Sequence, residues 1–378
     1  MNKKILFLTG TRADFGKLKS LIKEVDNSED FDAHIFVTGM HMLSKYGMTA
    51  REVEKSGFKS IYKFINQNLH DSMDNILAKT IYGLSDYVKE VKPDLIVVHG
   101  DRVEAMAGAM VGALNNILVG HIEGGEVSGT IDELIRHSVT KMSHIHFVCN
   151  KEARNRLIQL GEFESSIFEL GSPDIDIMTS KSLPSLSEAK ERYEISYQEY
   201  AIFMYHPVTT YLESLPGKIK NTIDAMIESG DNYIVIYPNN DHGSEIIINE
   251  LSRLDDNSKF KIFPSIRFEF FLILLKNATY MLGNSSAGVR EAPFYGLPTI
   301  NLGSRQNNRS TSESILNSEE VTQSILKLIT IASTTRFKPT EEFGNGKSYE
   351  IFYKLLQSEQ LWNISKQKVF VDYLGTKD

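Results

Sequence analysis

The sequence predicts an α/β protein made of two doubly wound parallel sheets. Three observations predict it. Short apolar runs alternate with amphipathic helical patterns along nearly the whole chain, the pattern of parallel strands joined by crossover helices. A length of 378 residues allows two domains, each with its own core. Two apolar runs, 94–99 and 117–122, break into polar residues where buried parallel strands end, and loops at such ends converge on a ligand crevice in open α/β sheets.

Residues 3–8 predict the first strand and 17–25 the helix after it. A strand over 31–38, a helix through 42–55 and a short strand over 59–64 continue the alternation. A long helix over 74–91 leads through Pro93 into the strand 94–99. The segment 103–115 carries alanine or glycine on every turn, which suits a helix packed tightly on a sheet. The run 117–122 hands over to Glu123-Gly124-Gly125-Glu126, and a helical pattern resumes at Asp132. A strand over 145–149, a helix over 151–160 and a strand over 167–170 complete the first series.

Gly171-Ser172-Pro173 and the polar segment 180–187 read as the linker, which sets the domains at 1–173 and 174–357. The second series has strands over 200–205, 233–237, 260–263, 280–282 and 299–302. Its helices lie near 218–228, 244–251, 269–276, 287–294 and 319–331. Two such halves with a central cleft are the expected architecture. The segment 351–373 is helical and amphipathic, with Trp362 and Phe370, and residues 358–378 are expected to rejoin the first domain. The chain shows neither internal repeats nor low-complexity tracts.

A formal charge of −8 argues against a nucleic-acid partner, which calls for a basic face. An anionic substrate must then be held by local arginines and helix ends. The one cysteine, Cys149, fits a reducing compartment and reads as a buried apolar residue rather than a nucleophile. The apolar run after Lys3-Lys4 stops at Thr9, shorter than the core of a signal peptide, and no run is long enough to cross a bilayer. A cytoplasmic protein with no membrane partner is the expectation.

Asp101, Glu123 and Asp132 follow strand ends and are delivered to one rim, an arrangement suited to acid/base chemistry. The turn Gly10-Thr11-Arg12-Ala13-Asp14-Phe15-Gly16-Lys17-Leu18 fails as a P-loop, because a leucine stands where a magnesium-binding hydroxyl belongs. It fails as a dinucleotide fingerprint because the GxGxxG spacing is missing. What remains presents Arg12 and Lys17 beside a helix start, fit for an anion or for a plain surface turn. In 283–291, GNSSAGVRE, a strand ends and a helix is expected to begin at once. Its free N–H groups and the Ser285 and Ser286 hydroxyls would form a phosphate site, with Glu291 placed to accept from ribose hydroxyls. An ordinary capped helix with a solvated glutamate is the competing reading. His206 ends the strand 200–205, where an imidazole contacts a diphosphate or protonates a leaving group. His144 and His146 flank a strand start and read as structural. The histidines show no compact metal spacing, and the aromatic-rich helix 267–275 reads as core.

The motifs GTRADFGKL, VTGMH, HGDRVEA, HIEGGEVSGTIDELIRH, GSPD, MYHPVTT, YPNND, FPSIRFE, GNSSAGVREAP and GSRQNNR occur in this order. In this the chain resembles the hydrolysing UDP-N-acetylglucosamine 2-epimerases of sialic-acid biosynthesis, and the epimerase half of the animal epimerase/kinase, from Lys4 to about Phe370. The non-hydrolysing branch carries GTRPE, GDT and HVEAGLR. Here GTRAD, GDR and HIEGGEV stand instead, so the chain sides with the hydrolysing branch. The resemblance implies two Rossmann-like domains in a glycosyltransferase-B arrangement, the second binding UDP, a homodimer, and neither metal nor cofactor. It implies that Asp101, Glu123 and Asp132 are the catalytic carboxylates. By the same similarity Arg12, His206, Ser285, Ser286, Glu291 and Arg305 hold UDP or the leaving diphosphate, and Lys17 and Asp174 fall inside matching motifs.

The implied reaction turns UDP-N-acetylglucosamine and water into N-acetylmannosamine and UDP. The C2 hydrogen has no neighbouring carbonyl, so elimination of UDP to a 2-acetamidoglucal, followed by hydration, is the expected route. A hydrolysing 2-epimerase of UDP-2,4-diacetamido-2,4,6-trideoxyglucose, on the way to legionaminic acid, shares these motifs and is the alternative. A glycosyltransferase of the same architecture, or a UDP-sugar-binding protein without turnover, ranks below both.

Overall fold

The computed structural model describes residues 2–128, 131–239 and 242–372. The chain divides into two compact units. One comprises the chain up to Glu126, Ile131–Thr179 and the return from Phe343; the other comprises Ser180–Glu342 with Val127 and Ser128.

In the first unit β1 (Lys3–Thr9) is followed by α1 (Arg12–Asp26), which a capping box between Thr11 and Asp14 starts at Arg12 rather than at residue 17, where the apolar periodicity begins. β2 (Phe31–Val37) leads to α2 (Ala50–Lys55). The single helix expected over 42–55 is broken into two 3-10 turns and α2, because Gly47 takes a left-handed conformation (φ 86°) that ends the second turn. Next come β3 (Ile61–Lys63), α3 (Met73–Val91), β4 (Leu95–His99), α4 (Val103–Leu114) and β5 (Leu118–Ile122). They are followed by α5 (Ile131–Met142), β6 (Ile145–Val148), α6 (Lys151–Gln159), β7 (Ile167–Glu169) and α7 (Pro173–Met178).

All seven strands are parallel, in the order β3-β2-β1-β4-β5-β6-β7. Alternate residues of β1 enter different cores: Ile5 and Phe7 pack with α1, Leu6 and Leu8 with residues of α3 and α4. A strand buried on both faces has to be apolar throughout, which is why these runs were legible. The strand order reverses between β1 and β4, so the ligand crevice of this sheet lies beyond their carboxyl ends.

The second unit begins with α8 (Leu186–Arg192), capped by Ser185 and Glu188 of the polar segment. β8 (Ala201–Met204), α9 (Leu215–Ser229), β9 (Tyr233–Ile236), α10 (Ser244–Leu251), β10 (Phe260–Phe263) and α11 (Phe268–Lys276) follow. β11 (Met281–Gly283), α12 (Glu291–Phe294), β12 (Thr299–Leu302), β13 (Ile315–Ser318) and α13 (Thr322–Ala332) complete it. Its six parallel strands run β10-β9-β8-β11-β12-β13, reversing between β8 and β11. The edge strand β13 escaped the sequence reading because none of its four residues is fully buried and its polar pattern is mixed. In α11, Phe271 and the four residues after it are buried, so this helix is core as expected.

The return segment carries α14 (Ser348–Gln357) and α15 (Glu359–Trp362). Phe352 is fully buried between Phe7 and Phe147, with ring centroids 6.2 and 5.2 Å away. Asp176 of α7 accepts from the Ser348 and Tyr349 N–H groups at 2.8 and 3.0 Å, capping α14. These contacts explain why the first unit runs to Thr179 rather than 173 and resumes at Phe343 rather than 358. The Ser172 N–H donates to the Phe343 carbonyl at 2.6 Å where the departing and returning chains meet. A side chain on Gly344 (φ 113°) would come within 3.0 Å of the Gly171 Cα, so this meeting needs glycine. The helix expected over 351–373 ends by Trp362; Tyr373 lies outside the described residues. Beyond it, Lys368 reaches the Thr140 and Ser143 carbonyls at the end of α5 and the Glu162 carboxylate.

Candidate active site

Three loops of the first unit carry its polar residues past the carboxyl ends of β1, β4 and β5. Glu123 follows β5 directly and is buried in a left-handed backbone conformation (φ 66°). That is an uncommon geometry for a non-glycine residue and costs about 1–3 kcal/mol, which the surrounding structure must offset. Gly125 (φ 79°) completes the turn, and a side chain there would lie 2.3 Å from the Ala153 carbonyl oxygen of α6.

Three groups converge on Oε1 of Glu123. Lys17 Nζ from α1 lies 3.4 Å away, Ser172 Oγ donates at 3.4 Å, and His99 Nε2 at the end of β4 lies 3.3 Å away. Lys17 also pairs with the buried Asp174 of α7 at 2.9 Å. The ammonium thus bridges two carboxylates that would otherwise repel each other in a poorly solvated place.

Asp101 receives Nη2 of Arg136, which projects from α5 one turn beyond Asp132. Arg136 is buried; burial opposes its charge, but Asp101 first and then Glu126, Glu123 and Asp132 hold the guanidinium protonated. Nη1 of Arg136 donates to the Glu126 carbonyl at 3.3 Å. The backbone before Asp101 is fixed too. His121 Nε2 sits 2.8 Å from the Gly100 carbonyl, and its Nδ1 sits 3.2 Å from Thr140 Oγ1 of α5. Burial pushes His121 down to about 3, so it is a neutral donor to Gly100. Asp132 is half-buried in the first turn of α5. Arg12, the first residue of α1, pairs with Glu52 at 2.7 Å. Among the described residues no group of three or more His, Cys, Asp or Glu is placed to hold a metal ion.

The second unit presents a different chemistry. His206 follows β8 and Asn284 follows β11, the two strands at which the order reverses. Asn284 ties them together: its Oδ1 accepts from the His206 N–H at 2.6 Å and its Nδ2 donates to the His206 carbonyl at 2.8 Å. The Asn239 N–H donates to His206 Nδ1 at 3.1 Å, so the ring proton sits on Nε2. Burial first, and the nearby Arg305 second, hold the His206 imidazole well below its ordinary range. His206 is therefore a neutral N–H donor, suited to a phosphate oxygen rather than to carrying a proton to a leaving group. Arg305 Nη1 and Gln306 Nε2 both donate to the Asn284 carbonyl, at 3.2 and 2.9 Å.

The stretch after β11 corrects the expectation of a helix starting at once. Ser286–Gly288 form a 3-10 turn, and α12 has four residues. The N–H groups of Gly288, Val289 and Arg290 are spent on Ser285 and Ser286 carbonyls, and Ser285 Oγ accepts from Ala287. A long helix with a free amide end and a summed dipole is absent here. Glu291 is buried rather than solvated and, after burial, is the cause that raises the Tyr295 phenol.

The structure thus brings Lys17, Glu123 and Asp174 together in one network and sets Asp101 against Arg136. It joins His206 to Arg305 through Asn284, and places Arg12 on Glu52. His99, Ser172, Arg136, His121 and Asn284 were not singled out by the sequence reading. All five stand within motifs, yet only spatial proximity gives them roles. His144 and His146 are structural: Val119 N–H donates to His144 Nδ1 at 3.0 Å, and His146 Nε2 meets Glu162 at 2.9 Å.

Comparison with known proteins assigns the family. The model of the UDP-N-acetylglucosamine 2-epimerase family matches residues 23–357. A UDP-N-acetylglucosamine 2-epimerase of Neisseria meningitidis serogroup B is 48% identical over 374 residues, 98% of this chain and 99% of that protein. The UDP-N,N'-diacetylbacillosamine 2-epimerase (hydrolyzing) of Legionella pneumophila is 34% identical over 364 residues, 95% of this chain and 96% of that one. A crystal structure of a Neisseria meningitidis UDP-GlcNAc 2-epimerase bound to UDP-GlcNAc shares the fold, with a TM-score of 0.79 at 20% identity over 94% of this chain and 99% of that chain. On these matches the chain belongs to the UDP-N-acetylglucosamine 2-epimerase family.

Proposed function

We propose that the protein is a hydrolysing UDP-N-acetylglucosamine 2-epimerase that releases N-acetylmannosamine and UDP for sialic-acid synthesis in the cytoplasm. The observation that carries this reading is the buried Glu123, held by Lys17 and Ser172 on a strained backbone with His99 beside it. Such a carboxylate has one orientation and a proton partner at hand, as removal of an unactivated C2 hydrogen requires. The 48% identity with the neisserial epimerase supports the substrate.

The C1–O bond to UDP breaks as a carboxylate takes the C2 proton, and the electron pair of the C2–H bond becomes the C1=C2 bond of 2-acetamidoglucal. Asp101, kept ionised by Arg136, stabilises positive charge at C1, and Asp132 is the remaining carboxylate for the return of a proton to C2. Water adds at C1 as that proton reaches the opposite face. His206 Nε2–H and Arg305 receive charge on the departing diphosphate, with Ser285, Ser286, Glu291 and Arg12 as the further UDP contacts.

We infer a homodimer formed through α4. Met110, Ala113 and Leu114 make an apolar stripe at its C-terminal end, Leu114 being 79% exposed, beside the exposed Tyr82 of α3 and Leu134 of α5. Sedimentation of Met110→Glu at half the mass of the parent protein supports this; a monomeric parent refutes it.

Proton NMR with UDP-N-acetylglucosamine in D2O tests the reaction. UDP and free N-acetylmannosamine carrying deuterium at C2 are expected. Turnover only of the UDP-diacetamido-trideoxy sugar would move the protein to the reaction named for the Legionella relative. UDP-N-acetylmannosamine as product would place it on the non-hydrolysing side, and binding without turnover would leave a UDP-sugar-binding protein.

A further inference from the structure

His99 sits at the last position of β4, 91% buried, with its Nε2 facing Oε1 of Glu123 at 3.3 Å. That contact is out of line for a hydrogen bond, and Nε2 makes no hydrogen bond elsewhere. A buried ring nitrogen without a hydrogen bond is costly unless its work lies with a proton or a ligand. The surrounding groups define what work that is. Lys17 of α1, 3.4 Å from the same oxygen, is paired with Asp174 of α7 at 2.9 Å, and His121 of β5, held neutral, lies near His99. Within this set the His99 ring and Glu123 are the adjacent pair between which a proton can pass.

We propose that His99 is a further catalytic residue, the proton acceptor that regenerates Glu123 within a turnover. The proposal rests on the epimerase reading and specifies the fate of its first proton. When the C2–H bond breaks, the proton is on Glu123 and the pair in the C–O bond leaves with UDP. Glu123 passes this proton across the 3.3 Å gap to Nε2, giving an imidazolium and restoring the carboxylate. The imidazolium, next to Glu123, gives the proton up to solvent as UDP departs, which accounts for the one proton that hydrolysis of a UDP-sugar releases near neutral pH. Hydration of the glucal then begins with Glu123 ionised, and the proton added to C2 comes from another carboxylic acid supplied by water.

The test is His99→Gln, whose amide can occupy the Nε2 position and cannot hold an extra proton. Provided the parent protein turns over UDP-N-acetylglucosamine, kcat should fall about 100-fold or more, with KM within about threefold. The acid limb of the parent's kcat–pH profile should disappear. Turnover within about threefold of the parent overturns the proposal. So does a low kcat that keeps the parent's pH limb, since His99 would then only position Glu123. If the variant does not fold, histidine-labelled parent protein and Glu123→Gln are titrated by 15N NMR. One of the ten imidazoles should shift its midpoint by about one pH unit or more, whereas ten unchanged midpoints overturn the coupling. A parent protein silent on every UDP-sugar would instead refute the epimerase reading.

Discussion

Replacing Glu162 with glutamine should destabilise the first unit in a pH-dependent way whose size follows from its surroundings. This buried carboxylate sits between His146 at 2.9 Å, Lys141 at 2.7 Å and Lys368. Burial pushes it up, but the hydrogen bond and charge from His146, with Lys141 and Lys368, outweigh that and bring it from 4.5 to about 2. The folded value lies below the unfolded one, so the contribution is fully present above pH 4.5 and is lost as pH falls through about 2. The gap is worth on the order of 3 kcal/mol at neutral pH, and part of it disappears between pH 6 and 4. Urea unfolding read by fluorescence isolates the effect. The one tryptophan, Trp362, belongs to the first unit and stacks on Phe31 at 6.4 Å. Glu162→Gln should be about 3 kcal/mol less stable at pH 7 and should lose less stability than the parent on going from pH 6 to 4. An unchanged midpoint at pH 7, or an unchanged loss between the two pH values, refutes the reasoning.

Glu123→Gln should lower turnover by more than about 100-fold in the NMR assay, and near-normal turnover would remove Glu123 from the chemistry. Arg136→Met strips Asp101 of its buried partner and should cost about 3 kcal/mol in the tryptophan-monitored unfolding, with kcat reduced at least about tenfold. His206→Asn keeps an acceptor for the Asn239 N–H but removes the Nε2 donor. Calorimetry should show UDP binding weakened about tenfold, with the kcat–pH profile unmoved because the imidazole is already neutral. Phe352→Ala should destabilise the first unit by about 3–5 kcal/mol, visible as an earlier Trp362 transition.

The strands were legible because burial on both faces leaves an uninterrupted apolar run, as in β4 and β5, each buried throughout. Helix starts were less so, since α1 begins at a capping box and not where its apolar stripe begins. Asp101 and Glu123 of the candidate site announced themselves by following strand ends. Their partners did not: Lys17 and Asp174 are about 150 residues apart in sequence, and only the packing of α1 against α7 brings them to 2.9 Å. The region after β11 misled because small polar residues followed by Val-Arg-Glu resemble a helix start, whereas its amides close a 3-10 turn on themselves.

The departure of the chain at Thr179 and its return at Phe343 have a consequence for synthesis on the ribosome. The second unit is contiguous apart from Val127 and Ser128, so nearly all of its chain emerges while the first still lacks Phe352, Leu356 and Leu361 of its core. Until that last stretch leaves the exit tunnel, the sheet bearing Asp101 and Glu123 stands with an unfilled hollow between Phe7 and Phe147. A ribosome stalled before Phe343 therefore yields a chain whose later-made unit is complete and whose earlier-made unit is open to proteases.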